Sequence, residues 1–134
     1  MPVVTHRERP LFDNGYEING DTTVYSNDFM FPDLPNEIGR YSLFIDIQDN
    51  GSEVLPTIKS YLQYIFDPDR DIYGELHEIY DDSGSSAITA GVKFEARLDT
   101  QDFWKFAIGF RIAITTTGGT SPKIKINYAG IHAR

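Results

Sequence analysis

The sequence predicts an all-β protein, an antiparallel β-sandwich of jelly-roll-like kind, and three observations carry that expectation. Apolar residues recur at a period of two in the run Trp104 to Ile114: Phe106, Ile108, Phe110, Ile112 and Ile114 share one parity. Lys105, Ala107, Gly109, Arg111 and Ala113 occupy the other. Turn residues interrupt such runs at sandwich spacing, giving about seven to nine strands. No stretch holds the helical apolar period for the roughly ten residues that the helix of a βαβ unit needs.

Along the chain, residues 1–14 read as an extended N-terminal arm and residues 15–134 as the sandwich domain. Pro2 and Pro10 punctuate the arm, and its apolar residues Val3, Val4, Leu11 and Phe12 lie between prolines, charges and His6. Residues 15–31 suggest one or two short strands around the turn Asn19-Gly20-Asp21. From Tyr41 the alternation is regular. Leu43, Ile45 and Ile47 alternate with Phe44, Asp46 and Gln48, and Asp49-Asn50-Gly51-Ser52 closes that strand.

Residues 57–80 read as a hairpin turning at Asp67-Pro68-Asp69-Arg70, with Ile58, Leu62, Tyr64 and Phe66 expected on its inner face. Asp81 to Ser86 is polar enough for an exposed loop. Val92, Phe94, Ala96 and Leu98 then alternate with Lys93, Glu95 and Arg97. After the strand that runs to about Thr116, Gly118-Gly119 and Pro122 mark the last turn, and Lys123 to Tyr128 is the final strand, leaving Ile131 to Arg134 as a tail. A helical turn is allowed near residues 33–39 or 99–103.

Composition narrows the function classes. The 134 residues carry a formal charge of -8, which argues against nucleic acid as a partner, because phosphate binding needs clustered Lys and Arg. The charge is segregated. Residues 41–90 hold Lys59 and Arg70 against ten Asp and Glu, whereas residues 91–134 hold an excess of Lys and Arg, a pattern that fits either interleaved surface charge or contact between subunits of opposite local sign. Cysteine is absent, so no disulfide framework or thiolate metal site exists. No apolar run approaches the ~20 residues of a membrane span, and no membrane partner is expected.

No residue pattern supports catalysis. Asp67-Pro68-Asp69-Arg70-Asp71 spaces carboxylates like the start of a calcium loop, and Glu78 falls at the twelfth position. Ile72, however, stands where that loop needs Gly, and strands rather than helices flank it. His6, His77 and His132 share no metal-pair spacing, and neither Ser83 nor Ser85 has a local activating base. Paired acids such as Asp81 and Asp82 carry little information in so acidic a chain. No cofactor, metal or catalytic residue is expected. Outward aromatics Tyr61, Tyr73 and Phe103 fit a sugar-stacking platform or packing at an interface.

Tyr61-Leu62-Gln63-Tyr64-Ile65-Phe66-Asp67-Pro68, followed by Tyr73 and by Phe110-Arg111-Ile112-Ala113-Ile114-Thr115-Thr116, resembles small β-sandwich structural proteins of tailed bacteriophages. The resemblance spans residues 41–128. It implies a non-enzymatic virion protein, a capsid decoration or cement protein or a minor head, neck or tail component, located on the capsid surface after synthesis in the host cytoplasm. Its expected partners are the major capsid protein or other virion proteins and further copies of itself. The expected partner-binding residues are Val3, Val4, Arg7, Arg9, Leu11 and Phe12, on the arm. A carbohydrate-binding β-sandwich module is the alternative.

Overall fold

The computed structural model describes residues 7–31, 40–81, 92–99 and 107–133, with the backbone alone for Arg7, Arg40, residues 92–99 and Ala133. Among these residues, ten strands make two antiparallel sheets. They are β1 (Arg7–Pro10), β2 (Tyr16–Asn19), β3 (Thr22–Tyr25), β4 (Phe29–Met30), β5 (Arg40–Asp49), β6 (Thr57–Asp67), β7 (Ile72–Asp81), β8 (Val92–Asp99), β9 (Gly109–Thr117) and β10 (Lys123–Ala133). Sheet A runs β1-β10-β5-β8 with β2 also on β10; sheet B runs β3-β9-β6-β7 with β4 also on β9. With β1/β2 and β3/β4 each counted as one interrupted strand, that is the four-over-four order of a jelly roll.

The inward parities of both sheets form one core. Sheet A contributes Ile18, Leu43, Ile45, Ile47, Ile124, Ile126, Ala129 and Ile131, and sheet B contributes Ile58, Leu62, Phe110, Ile112 and Ile114. Phe110 packs against Phe29 at 5.0 Å and Phe31 at 6.0 Å between ring centroids, closing one end of the sandwich. The hairpin at residues 57–80 forms as expected. Asp67 caps its 3-10 turn by accepting the Arg70 backbone N–H, and Asp71 takes the left-handed conformation that ends it.

Four expectations are corrected. The arm at residues 1–14 does not extend through residues 7–14: β1 pairs with β10 in register Glu8↔His132 and Pro10↔Gly130, and Leu11 and Phe12 are buried in the core. An edge strand tolerates Pro10 because only one of its sides needs ladder donors. The last strand does not end at Tyr128. Asn127 is an extra residue in β10, which shifts register between Ile126↔Ile47 and Tyr128↔Asp46, so Ala129 and Ile131 turn inward and the strand runs on to Ala133.

Phe66 is exposed rather than internal, because β6 changes register with β7 at several points and buries Ile65 instead. Ile108 is 40% exposed, since β9 starts only at Gly109 and Ile108 lies beyond the sheet, donating its N–H to Ile65. Residues 15–31 hold three short strands. Trp104, Phe106, the polar loop after Asp81, the expected helical turn at residues 33–39 and residues 100–103 of the other lie outside the described residues, and Asp99 ends β8.

Candidate functional site

The six residues expected to bind a partner are not brought together. Val3 and Val4 lie outside the described residues. Arg7 enters β1 opposite Ala133, and Arg9 is exposed, its guanidinium donating to the Glu8 carbonyl at 3.1 Å. Leu11 and Phe12 are 2% and 5% exposed, with the Leu11 N–H donating to Ala129 and its carbonyl accepting from Asn27, so neither is available to a partner.

The outer face of sheet A gathers a polar cluster instead. The bulge at Asn127 turns Tyr128, Gly130 and His132 outward together, and the register with β1 sets Glu8 opposite His132. The Tyr128 hydroxyl lies 2.5 Å from Glu8 Oε2 and 2.7 Å from His132 Nε2. An ionised Glu8 can only accept, so the phenol donates to it and accepts from the imidazole N–H. The Tyr128 pKa is held above the ordinary phenol range, first by burial, then by the hydrogen bond to Glu8 and its negative charge.

Gly130 leaves room for this arrangement, because a Cβ there would collide with the Tyr128 ring. Phe44 of β5 meets the His132 ring edge-on at 4.7 Å. Beside the cluster is a shallow depression of about 280 Å³ lined by Glu8, Pro10, Phe12, Asp13, Asn14 and Tyr128. Chemically the cluster is a clasp holding β1 to β10. A phenol kept protonated is a hydrogen-bond donor and a poor base or nucleophile. No local sequence signal pairs Glu8 with Tyr128, which stand 120 residues apart.

The outer face of sheet B centres on Arg111. Its guanidinium lies 4.2 Å from the Tyr25 ring centroid and 3.8 Å from that of Tyr73, and its Nε donates to Gln63 Oε1 at 2.8 Å. Gln63 in turn donates to the Gly74 carbonyl, and the Tyr73 hydroxyl donates to Asp28 at 3.2 Å. Burial, followed by the Asp28 charge and hydrogen bond, raises the Tyr73 pKa. The outward setting expected for Tyr73 is observed, but the Arg111 side chain covers one of its faces and one of Tyr25's. Phe103 lies outside the described residues. The Asp67 carboxylate is engaged by the Arg70 guanidinium at 2.6 Å.

No protein-family model matches the chain, and no curated protein matches it in sequence. Solved structures match in fold. A chain of infectious bursal disease virus, Gt strain, overlays 97% of this chain with a TM-score of 0.62 at 8% identity. The family 22 carbohydrate-binding and family 10 hydrolase modules of Clostridium thermocellum endo-1,4-β-D-xylanase 10B, complexed with xylohexaose, overlay 99% of it with a TM-score of 0.53 at 14% identity. This chain spans about a third of the viral chain's length and a quarter of the xylanase chain's. At such identities the likeness defines a class of fold, the jelly-roll β-sandwich. Among the described residues no helix is long and apolar enough to cross a membrane.

Proposed function

We propose that this protein is a non-enzymatic structural component of a virus particle, specifically a capsid decoration or stabilising protein of a tailed bacteriophage that binds the assembled head. The observation that carries the reading is the jelly-roll order running from β1 to β10, whose overlay on the viral chain at a TM-score of 0.62 is closer than that on the xylanase chain at 0.53. The resemblance of residues 41–128 to small phage β-sandwich proteins points the same way. Neither outer-face cluster offers an activated nucleophile, since Tyr128 is kept protonated and Arg111 is held between two rings.

The alternative, a carbohydrate-binding module, needs flat aromatic faces open to a sugar ring. On sheet B the Arg111 guanidinium already takes a face each of Tyr25 and Tyr73, which disfavours stacking there. The test is to mix tagged protein with purified heads lacking it and, separately, with immobilised xylan, and to measure co-sedimentation and retention. Saturable binding to heads without retention on xylan supports the proposal. Retention on xylan without binding to heads overturns it.

A further inference from the structure

We propose that Arg111 is a receptor for the carboxylate of an aspartate or glutamate side chain carried by a protein partner. This does not depend on the particle reading above, since the geometry asks only for an acidic group on a protein surface. Strand order builds the site. In sheet B, β9 lies between β3 and β6, with β7 beyond β6, so Tyr25 of β3 and Tyr73 of β7 flank Arg111 from opposite sides. Their ring centroids lie 4.2 and 3.8 Å from its Cζ. On β6, Gln63 stands opposite Arg111 in register and accepts from its Nε at 2.8 Å. Gln63 is itself fixed by donating to the Gly74 carbonyl at 2.9 Å, and the Tyr73 hydroxyl by donating to Asp28 at 3.2 Å. The guanidinium is therefore held in place before any partner arrives, which removes much of the ordering cost of binding.

A guanidinium carries five N–H donors, and its Nε holds one of them. The rest, on the two Nη atoms of Arg111, have no acceptor among the described residues, and no described carboxylate forms an ion pair with it. Arg70 and Lys59 differ in this respect: Arg70 pairs with Asp67 at 2.6 Å, and Lys59 is shared between Glu78 and Asp81 at 3.6 and 3.8 Å. A half-buried cation without a counter-ion, in a chain of formal charge -8, leaves that role to another molecule. The two short ring separations are those of rings lying over the faces of a guanidinium, so a ligand must approach in its plane. A carboxylate is planar and bridges the two Nη atoms edge to edge, whereas a tetrahedral phosphate or sulfate turns oxygens out of that plane toward the rings.

The surroundings fit a protein rather than a sugar chain. In the row beside Arg111, Tyr25, Ala113 and Tyr61 stand in register across β3, β9 and β6, and the row carries no charge until Glu78 on β7. Tyr25 is 47% exposed. In the next row Thr23 and Thr115 satisfy each other's hydroxyls at 2.9 Å. Tyrosine and arginine at the centre with charged residues at the margin is the make-up of a protein interface, where such residues carry most of the binding energy. An oligosaccharide gains from stacking on aromatic faces, and Arg111 already covers one face of each ring.

The test titrates isotope-labelled protein with a capped tetraglutamate peptide, with its tetraglutamine counterpart and with tetragalacturonate, following the Arg111 Nε–H and the Tyr25 and Tyr73 ring signals by NMR. Saturable shifts at all three residues are expected with tetraglutamate and not with tetraglutamine. Arg111→Lys keeps the charge but offers no planar pair of donors, and it should weaken tetraglutamate binding at least about tenfold. Arg70→Gln, which removes a cation elsewhere, should change it by less than about twofold. Thermal melts establish that both variants are folded. Absence of a saturable shift at Arg111, equal affinity in Arg111→Lys, or shifts with tetragalacturonate and none with tetraglutamate would overturn the proposal.

Discussion

Removing the Leu11 side chain tests whether the residues before β2 belong to the domain. Leu11 is 2% exposed and sits in the core cluster with Phe12 and Ile18. Truncating a buried leucine to alanine costs about 3 kcal/mol, within the usual 2–5. For a domain of this size each kcal/mol lowers Tm by about 3–4 °C, so Leu11→Ala should melt about 10 °C below the parent. Deleting residues 1–12 goes further. It removes the four register pairs of β1 with β10, the Leu11 backbone bonds and two buried side chains, each contributing about 1.5–3 kcal/mol. Against a typical total of 5–15 kcal/mol, the shortened protein should be largely unfolded at 25 °C. Far-UV circular dichroism during thermal and urea denaturation reads both. If either variant melts within about 2 °C of the parent, residues 7–12 are dispensable and their assignment to the sandwich is wrong.

Other consequences follow from particular contacts. Phe110→Ala should cost about 3–5 kcal/mol in urea denaturation, because the ring is fully buried among Phe29 and Phe31. Arg111→Ala should cost about 2 kcal/mol, from two cation–π contacts and one hydrogen bond, and equal losses would show the faces misassigned. Gly130→Ala should displace the Tyr128 ring, and ultraviolet titration should then show one more tyrosine ionising near the ordinary value of about 10; an unchanged titration would refute the crowding.

At Asp49, burial acts to raise the pKa, but hydrogen bonds from Ser52, Gly51 and Asn50 outweigh it and hold the carboxyl below the ordinary aspartate range. A carboxyl depressed in the folded state contributes stability above its unfolded pKa, and that contribution is lost as pH falls through the folded value. Asp49→Asn should therefore destabilise at pH 7, with the gap from the parent closing below about pH 3.8; a constant gap down to pH 2 would contradict the shift.

Much of the architecture was legible because one face of each long strand is buried, which forces alternation into the sequence. The Asp67-Pro68 turn and the parity of Leu43, Ile45 and Ile47 follow directly from that. What escaped depends on partners distant in sequence. A single bulge residue, Asn127, reverses the parity of β10, so Ala129 and Ile131 read as tail although they are core. Arg7 to Pro10 reads as arm because an exposed edge strand carries no apolar alternation, and only its pairing with β10 shows it to be a strand. The Glu8–Tyr128–His132 cluster inherits both problems. The outward position of Arg111 was legible from parity, but its enclosure by Tyr25 and Tyr73 depends on the order of strands in sheet B.

Cryo-electron microscopy of heads incubated with this protein tests the proposed role most directly. The expected result is a sandwich-shaped density at symmetry-related positions on the outer capsid surface, absent from untreated heads. Heads that remain bare at saturating protein, together with retention of the same preparation on xylan, would contradict a decorating role.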